Sequence, residues 1–385
     1  MLIDYQIAVI GAGIIGASIA AKLASEGISV ALLDKGVAAG QGASSYSAGL
    51  VRLYDSDPLL MELAAYSIGL MNQDPFASTY ASALRRTGAI YRAAPDQLHA
   101  MCRAIEQYAS DTYPMRLLPH HELDGIRYPR CAGQDRLNLY EPRACVGNVR
   151  QAVAVLANQV RRTGLVLEHC EVEALECRSR HEVRLALGDT TLRCQAVVVA
   201  AGAWSQRFLP PLGLHARSIP LARVRTEGEW TIPLIDAVTQ SYGIPLTSSL
   251  VQTGCGFRAT AEQPCGLPWP DARHVEDARA RVESLVGATQ LHVLDVLPGF
   301  DSYSPDGRPL LGFCDDTSPV YLATGMSGLG FKLAPGIAQI AFDQLCCHLA
   351  ASTAPTAWPG LSPQRLTGAG DTGAGFERRT PSAQP

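Results

Sequence analysis

Three glycines and one carboxylate near the start of the chain carry the first legible chemistry. Gly11, Gly13 and Gly16 follow the apolar run Ile7-Ala-Val-Ile. In that order the first glycine allows a tight turn, the second lets a pyrophosphate approach the backbone, and the third lets the next helix pack on the strand. Ile15, Ile19, Ala20 and Leu23 then recur at helical spacing, and Gly27 stands where a C-cap belongs. A second strand, Ser29-Val-Ala-Leu-Leu, ends at Asp34, 23 residues past Gly11, where a carboxylate accepts the ribose hydroxyls of an adenosine. A lone glycine triplet would say little; strand, turn, helix, strand and acid together imply dinucleotide binding. The Gly/Ser-rich stretch Gly40–Gly49 adds backbone N–H groups and hydroxyls suited to a second section of a phosphate-bearing cofactor.

These residues need elements to hold them. The first unit runs to about residue 56. Residues 57–136 read as helices, with Leu59, Leu60, Leu63 and Ile68 on one face. An amphipathic helix spans 148–163 (Val149, Val153, Leu156, Val160). Strands follow at 165–169, 171–176 and 182–187, with a turn at Gly188-Asp189. The apolar run Ala196-Val-Val-Val-Ala-Ala breaks at Gly202 and suits a central parallel strand covered on both faces. Residues 217–295 are strand-rich with one helix, Ala272–Leu285, and look like a separate layer inserted into the cofactor domain. A strand at Val320–Thr324 then meets a glycine-rich turn and a helix running to about Leu349. The domain expectation is therefore α/β, with a discontinuous cofactor domain (1–56, 137–216, 296–349), a substrate domain (57–136, 217–295) and a disordered tail (350–385). No internal repeat is present.

Composition sets the class. With 385 residues, 47% of them hydrophobic and 18% charged, the chain can bury a large core. A formal net charge of −4 gives no electrostatic case for nucleic acid or an anionic membrane. The first strand starts within a few residues of Met1 and the glycines interrupt the early apolar stretch, so neither a signal peptide nor a membrane span is expected. The 11 cysteines lack zinc spacing and suit reduced thiols in the cytoplasm. His120-His121-Glu122 is not a metalloprotease motif, the nine histidines show no metal spacing, and no serine nucleophile elbow occurs.

Four separated segments resemble the FAD-dependent D-amino acid oxidase superfamily, nearest to its glycine oxidase and sarcosine oxidase-like amine oxidases. They are the N-terminal fingerprint, the loop ending Ala48-Gly49-Leu50-Val51-Arg52, the strand end Ala200-Ala-Gly-Ala-Trp-Ser205, and Pro305-Asp-Gly307 with Ala323-Thr-Gly325 and Gly330-Phe331. Individually these are loose; their order and spacing are specific. The resemblance implies a glutathione-reductase-like FAD domain of Rossmann type with a β-sheet substrate domain against the flavin. It assigns to FAD Gly11, Gly13, Ile14, Ile15 and Gly16, then Asp34 and Lys35, then Ser44, Ser45, Gly49 and Leu50. It continues with Val172, Gly202 and Trp204, and ends on Gly325, Gly328, Leu329, Gly330, Phe331 and Lys332. The turn Gly325–Gly330 offers N–H groups and a positive helix end to the charge that develops on flavin reduction; the alternative is an ordinary strand–helix turn. No second glycine fingerprint follows a strand, so reduction by the organic substrate is expected rather than by a nicotinamide.

The same resemblance places a substrate-carboxylate clamp at Arg52 and Lys332, for which two cations are well suited; the alternative is two solvated charges. Tyr242 matches an active-site tyrosine, or is simply a core tyrosine. The chain departs from the family elsewhere. Glycine and D-amino acid oxidases carry an arginine four residues before Pro-Asp-Gly, and here Asp301 stands there. That carboxylate would repel an amino acid's carboxylate and attract a cation, unless it pairs with an arginine such as Arg308. No cysteine occurs in Gly299–Tyr303, so FAD is expected to be noncovalent. The family's oxygen-activating lysine falls at Gln252-Thr253, and a histidine and a further arginine of sarcosine oxidase correspond to Ser45 and Gly49. The expectation is an enzyme that oxidises the C–N bond of a small-molecule amine, amino acid or N-substituted amino acid, with O2 or another acceptor taking the electrons. A dehydrogenase or tailoring enzyme for a pathway intermediate, an FAD-binding subunit needing partner chains, and a carrier-bound substrate remain alternatives.

Overall fold

The apolar run that opens the chain becomes the strand Leu2–Ile10, whose Ile7, Ala8 and Val9 are fully buried. This computed structural model describes residues 2–119, 136–209, 211–227, 229–286, 290–315, 317–352 and 358–366. The first sheet is ordered Ala174–Ser179, Glu182–Leu187, Thr190–Val199, Leu2–Ile10, Val30–Leu33, Leu165–Leu167. Leu2–Ile10 pairs in parallel with both of its neighbours. Val320–Thr324 adds in parallel to the second half of Thr190–Val199, with Leu310–Phe313 antiparallel at its edge. Ala196, Val197, Val198 and Val199 are 0% exposed, as a strand covered on both faces requires.

Helices Ile14–Ser25, Val149–Val160 and Gly330–Leu349 pack over one face of this sheet, and Ile19, Leu156 and Ile337 share a single core there. Asn148 caps the second of them, its side chain accepting the Gln151 N–H at 3.0 Å. On the opposite face Leu33, Val172, Val197 and Leu322 form another core.

The second sheet is ordered Leu291–Leu297, Leu221–Thr226, Leu250–Gly254, Ser241–Thr247, Leu234–Asp236, Ala89–Ala93, Leu137–Glu141, Arg116–Leu117. Helix Ala272–Val286 packs on it through Ala278, Val282 and Leu285, which meet Val224 and Val251.

The structure departs from the sequence reading in four places. Residues 57–136 include helices Pro58–Leu70, Ala77–Ala83 and Leu98–Tyr108, but Ala89–Ala93 and Arg116–Leu117 are strands of the second sheet. The helical part divides too, because Leu60, Leu63 and Tyr80 pack into the core of the first layer rather than the second. Leu137–Glu141, read with the cofactor domain, is likewise a strand of the second sheet. The strand read from Glu171 begins only at Ala174, since the Cys170 N–H donates to the Asp34 carbonyl and Val172 turns inward.

Residues 358–366, read as tail, form 3-10 turns at Pro359–Leu361 and Pro363–Arg365 that pack on the body. Leu361 is fully buried, and Trp358 lies against Tyr66 with ring centres 5.9 Å apart. Residues 120–135, with His120, His121 and Glu122, and residues 367–385 lie outside the described part. Among the described residues no helix is long and apolar enough to cross a membrane, and every cysteine is free.

Candidate functional site

A cavity of about 410 Å³ is lined from both sheets. Its floor is largely glycine backbone. Gly11 has φ +103°, and a Cβ there would come within 2.6 Å of the Ala200 carbonyl oxygen. A Cβ on Gly13 would meet Ser44 Oγ at 3.2 Å, while Ser44 Oγ already accepts the Ile14 N–H at 3.0 Å. Asp34 accepts the Ala12 N–H at 2.7 Å and the Gly36 N–H at 2.8 Å, one on each carboxylate oxygen, and each oxygen keeps capacity for another donor. Beyond it, the Lys35 ammonium lies 3.9 Å from the Trp204 ring centre. Glycine backbone at a helix start, an acid at the end of the second strand and an aromatic wall fit the nucleotide part of a flavin cofactor.

Arg52 enters the cavity from a loop that one buried carboxylate holds. Leu50–Val51 pairs with Cys145–Gly147, and the chain then bends over Glu141. Glu141 is 1% exposed; it accepts the Leu53 N–H at 2.6 Å, the Tyr54 N–H at 3.2 Å and the Tyr113 hydroxyl at 2.8 Å. The Arg52 guanidinium donates to the Tyr54 carbonyl and lies 4.9 Å from the Tyr91 ring centre.

Lys332 reaches the cavity from the first turn of helix Gly330–Leu349, which no side chain caps. Its side chain is 4% exposed, and its ammonium pairs with Asp55 at 2.9 Å. Burial pulls the Lys332 pKa down, the Asp55 carboxylate pulls it back up, and Arg52 adds to the downward pull. Burial raises Asp55, but Lys332 and Arg52 outweigh it and hold that carboxyl below its usual range. The clamp read from the sequence as two bare cations is therefore two cations and an anion. Sequence reasoning did not find Asp55.

Asp301 also lines the cavity, buried, and does not pair with Arg308, which engages Asp57 at 2.7 and 3.1 Å instead. Its carboxylate accepts the Ser302 N–H at 2.7 Å and the Gly328 N–H at 2.8 Å. Burial pushes its pKa up to about 6 against the pull of those two N–H groups. Asp301 thus anchors the glycine turn, and the Gly328 N–H, read as available to a cofactor, is already engaged.

Tyr303, two residues on from Asp301, and Tyr242 line the same cavity. Burial pushes Tyr242 up to about 12 and Tyr303 up as well, while the Arg258 guanidinium opposes both shifts. At the position of the family's lysine, Gln252 lines the cavity and donates to the Tyr46 carbonyl at 3.1 Å. Thr253 faces away, bonded at 2.6 Å to the Tyr242 carbonyl.

The cavity collects nearly all of the residues singled out from the sequence. Arg52, Tyr242, Asp301 and Lys332 line it, as do Gly11, Gly13, Ile14, Ile15, Asp34 and Lys35. So do Ser44, Gly49, Leu50, Val172, Gly202, Trp204, Gly325, Gly328, Leu329, Gly330 and Phe331. Two stand apart. Gly16 lies under the turn, where a Cβ would strike the Gly11 carbonyl oxygen at 1.9 Å, and Ser45 closes its own loop by donating to the Gly42 carbonyl at 2.8 Å. Gly49 has φ +68° and a Cβ there would lie 2.0 Å from the Gly147 carbonyl oxygen, so no side chain is accommodated at that position. Glu141, Arg258 and Tyr303 had no local motif to mark them. Among the described residues no cluster could hold a metal ion.

Known proteins share this architecture. The family model described as DAO, FAD dependent oxidoreductase, matches residues 6–344. The chain is 26% identical over 361 residues to the tRNA 5-methylaminomethyl-2-thiouridine biosynthesis bifunctional protein of Marinobacter nauticus, covering 88% of this chain but 55% of that one. It is 26% identical over 354 residues to the glycine oxidase of Pseudomonas aeruginosa, covering 88% of this chain and 94% of that one. Among solved structures, L-proline dehydrogenase from P. horikoshii superposes with a TM-score of 0.81 at 18% identity, covering 95% of this chain and 99% of the other. That likeness is one of fold.

Proposed function

The chain belongs to the DAO family of FAD-dependent oxidoreductases, and from that premise we propose that it oxidises the C–N bond of an amino acid or N-substituted amino acid. Gly11, Gly13, Asp34 and Trp204 would hold FAD, which would supply a hydride acceptor for the carbon next to the substrate nitrogen. The carrying observation is that Arg52 and Lys332, 280 positions apart in the chain, line one cavity with that floor. Arg52 offers a carboxylate a fork of N–H donors and Lys332 a second positive charge, which together orient the α-carbon. The substrate amine must be neutral, so that its lone pair forms the C=N bond as the hydride leaves. Hydride loss leaves an iminium ion, which releases a proton to solvent to give the imine, and water hydrolyses that. The glycine oxidase relative supports a small amino acid as substrate.

FAD is held without a covalent link, a reading supported by the lack of any cysteine among the described residues lining the cavity. Gln252 in place of a cation supports an electron acceptor other than O2, or a slow reaction with it.

The test is anaerobic. Mixing the purified flavoprotein with glycine, sarcosine, proline and other D- and L-amino acids should bleach the flavin with one class, and admitted air then reports on oxygen. Arg52→Ala should raise the KM for that substrate at least tenfold, since a charged hydrogen bond is worth about 1.5–3 kcal/mol. An unchanged KM removes Arg52 from the clamp, and a flavin that no amine bleaches removes the activity.

A further inference from the structure

Of the cations lining the cavity, Arg207 pairs with Glu171 and Lys332 with Asp55. Arg258 has no ion pair among the described residues; its one hydrogen bond is a long contact from Nε to the Cys255 carbonyl at 3.4 Å. Nearby arginines of the same domain are neutralised: Arg223 by Asp295, Arg273 by Asp271 and Arg281 by Asp277. Arg258 is exposed yet lines the cavity, so it stands where the cavity meets solvent.

Its position relative to Arg52 follows from the sheet. Tyr91, Ile235 and Tyr242 lie directly opposite one another on three neighbouring strands. Residues so paired share one face. Strands are spaced about 4.8 Å apart, so Tyr91 and Tyr242 are separated by about 10 Å along this row. Arg52 sits over Tyr91, at one end. Arg258 stands at the other: its Nε reaches the carbonyl of Cys255, the residue after Gly254, where a Cβ would lie 2.7 Å from the Tyr242 hydroxyl. Ile235 between them is apolar and lines the cavity. A cation at each end of a short apolar row is complementary to an anion at each end of a short carbon chain.

We propose that Arg258 recognises a second acidic group and that the substrate is an amino acid carrying an acidic side chain or N-substituent, its α-carboxylate on Arg52 and its distal carboxylate on Arg258. This rests on the carboxylate-clamp reading of Arg52 and narrows it to one substrate class. Asp301 lines the same cavity, and the two backbone N–H groups its oxygens accept offset part of its negative charge.

The experiment is a titration of the flavin's visible spectrum, in the FAD-loaded protein, with acetate and propionate against glutarate and adipate. At least one dicarboxylate should bind ten times more tightly than either monocarboxylate. Arg258→Gln should erase that preference while leaving the affinity for acetate and propionate unchanged, and Arg258→Lys should keep part of it. No preference in the native protein, or one that survives Arg258→Gln, overturns the proposal and leaves the Arg52 clamp standing. Monocarboxylates that bind equally to Arg52→Ala, or a spectrum that no carboxylate perturbs, overturn the clamp itself and the proposal with it.

Discussion

Lys332 meets the cavity as half of an ion pair, and its charge depends on the other half. The ammonium of this buried side chain is held protonated against burial chiefly by Asp55. Under the proposed clamp a carboxylate ligand needs the protonated form, so its affinity should be lost as pH rises through the Lys332 pKa. Asp55→Asn removes the opposing pull, lowers that pKa further and moves the loss to lower pH. Acetate affinity, read from the flavin spectrum across pH 6–10, should therefore fall off at least one pH unit earlier in Asp55→Asn than in the native protein. Coincident profiles would show that Asp55 does not set the charge of Lys332. That Arg52 and Lys332 line one cavity was legible through the two segments that carry the family resemblance. Asp55 was not, since its partner is 277 positions away and nothing local marks the pair. Glu141 is illegible for the same reason, gripping Leu53 and Tyr54 from 88 and 87 positions away. Asp301 was legible as a departure from the family, but its use as an anchor for the Gly328 N–H appears only once the strand and the turn are side by side.

The helix Gly330–Leu349 contains Pro335, which has no N–H to give the Phe331 carbonyl one turn earlier. That carbonyl belongs to the cavity-lining turn, and the fully buried Tyr80 hydroxyl donates to it at 3.3 Å from helix Ala77–Ala83. Ser67, from Pro58–Leu70, serves the next positions: it accepts the Gly336 N–H at 3.1 Å and donates to the Leu333 carbonyl at 3.1 Å. The two helices outside the dinucleotide motif thus complete the helix that carries Lys332. Tyr80→Phe keeps the ring stacked on Phe331 and leaves a buried carbonyl unpaired, which costs about 1–3 kcal/mol. Urea unfolding should show that loss with an unchanged m-value, together with weaker FAD retention; a midpoint equal to the native one would show that the carbonyl has another partner. The long periodic elements were legible because repetition carries their signal, as in Val149–Val160 and the apolar strand ending at Val199. The strand Ala89–Ala93 was not. Its five residues are too short to show a period, and it becomes a strand by pairing with Leu234–Asp236 far along the chain.

At the scale of the whole molecule, the chain closes on itself through a segment whose composition suggests no structure. Arg365 binds Asp306 at 2.7 Å and donates to the Arg308 carbonyl at 2.8 Å, so residues 358–366 brace the turn that follows the strand bearing Asp301 and Tyr303. Leu361 inserts into the core shared by Leu311 and Leu345, beneath the helix that carries Lys332. The Arg308–Asp57 pair ties the same turn to the N-cap of helix Pro58–Leu70, where Asp57 accepts the Leu59 N–H at 2.9 Å. One strap thereby reaches two elements of the cavity lining, the strand that carries Asp301 and the helix that carries Lys332. Leu361→Ala creates a void under a fully packed helix, and truncations of that kind cost about 2–5 kcal/mol, a large part of the 5–15 kcal/mol that typically separates folded from unfolded. The thermal midpoint of the FAD-loaded protein should fall by several degrees. Arg365→Ala, whose Asp306 partner is about a third exposed, should cost less. If Leu361→Ala unfolds at the native temperature, residues 358–366 rest on the surface without bearing on the core, and the strand and the helix hold together without them.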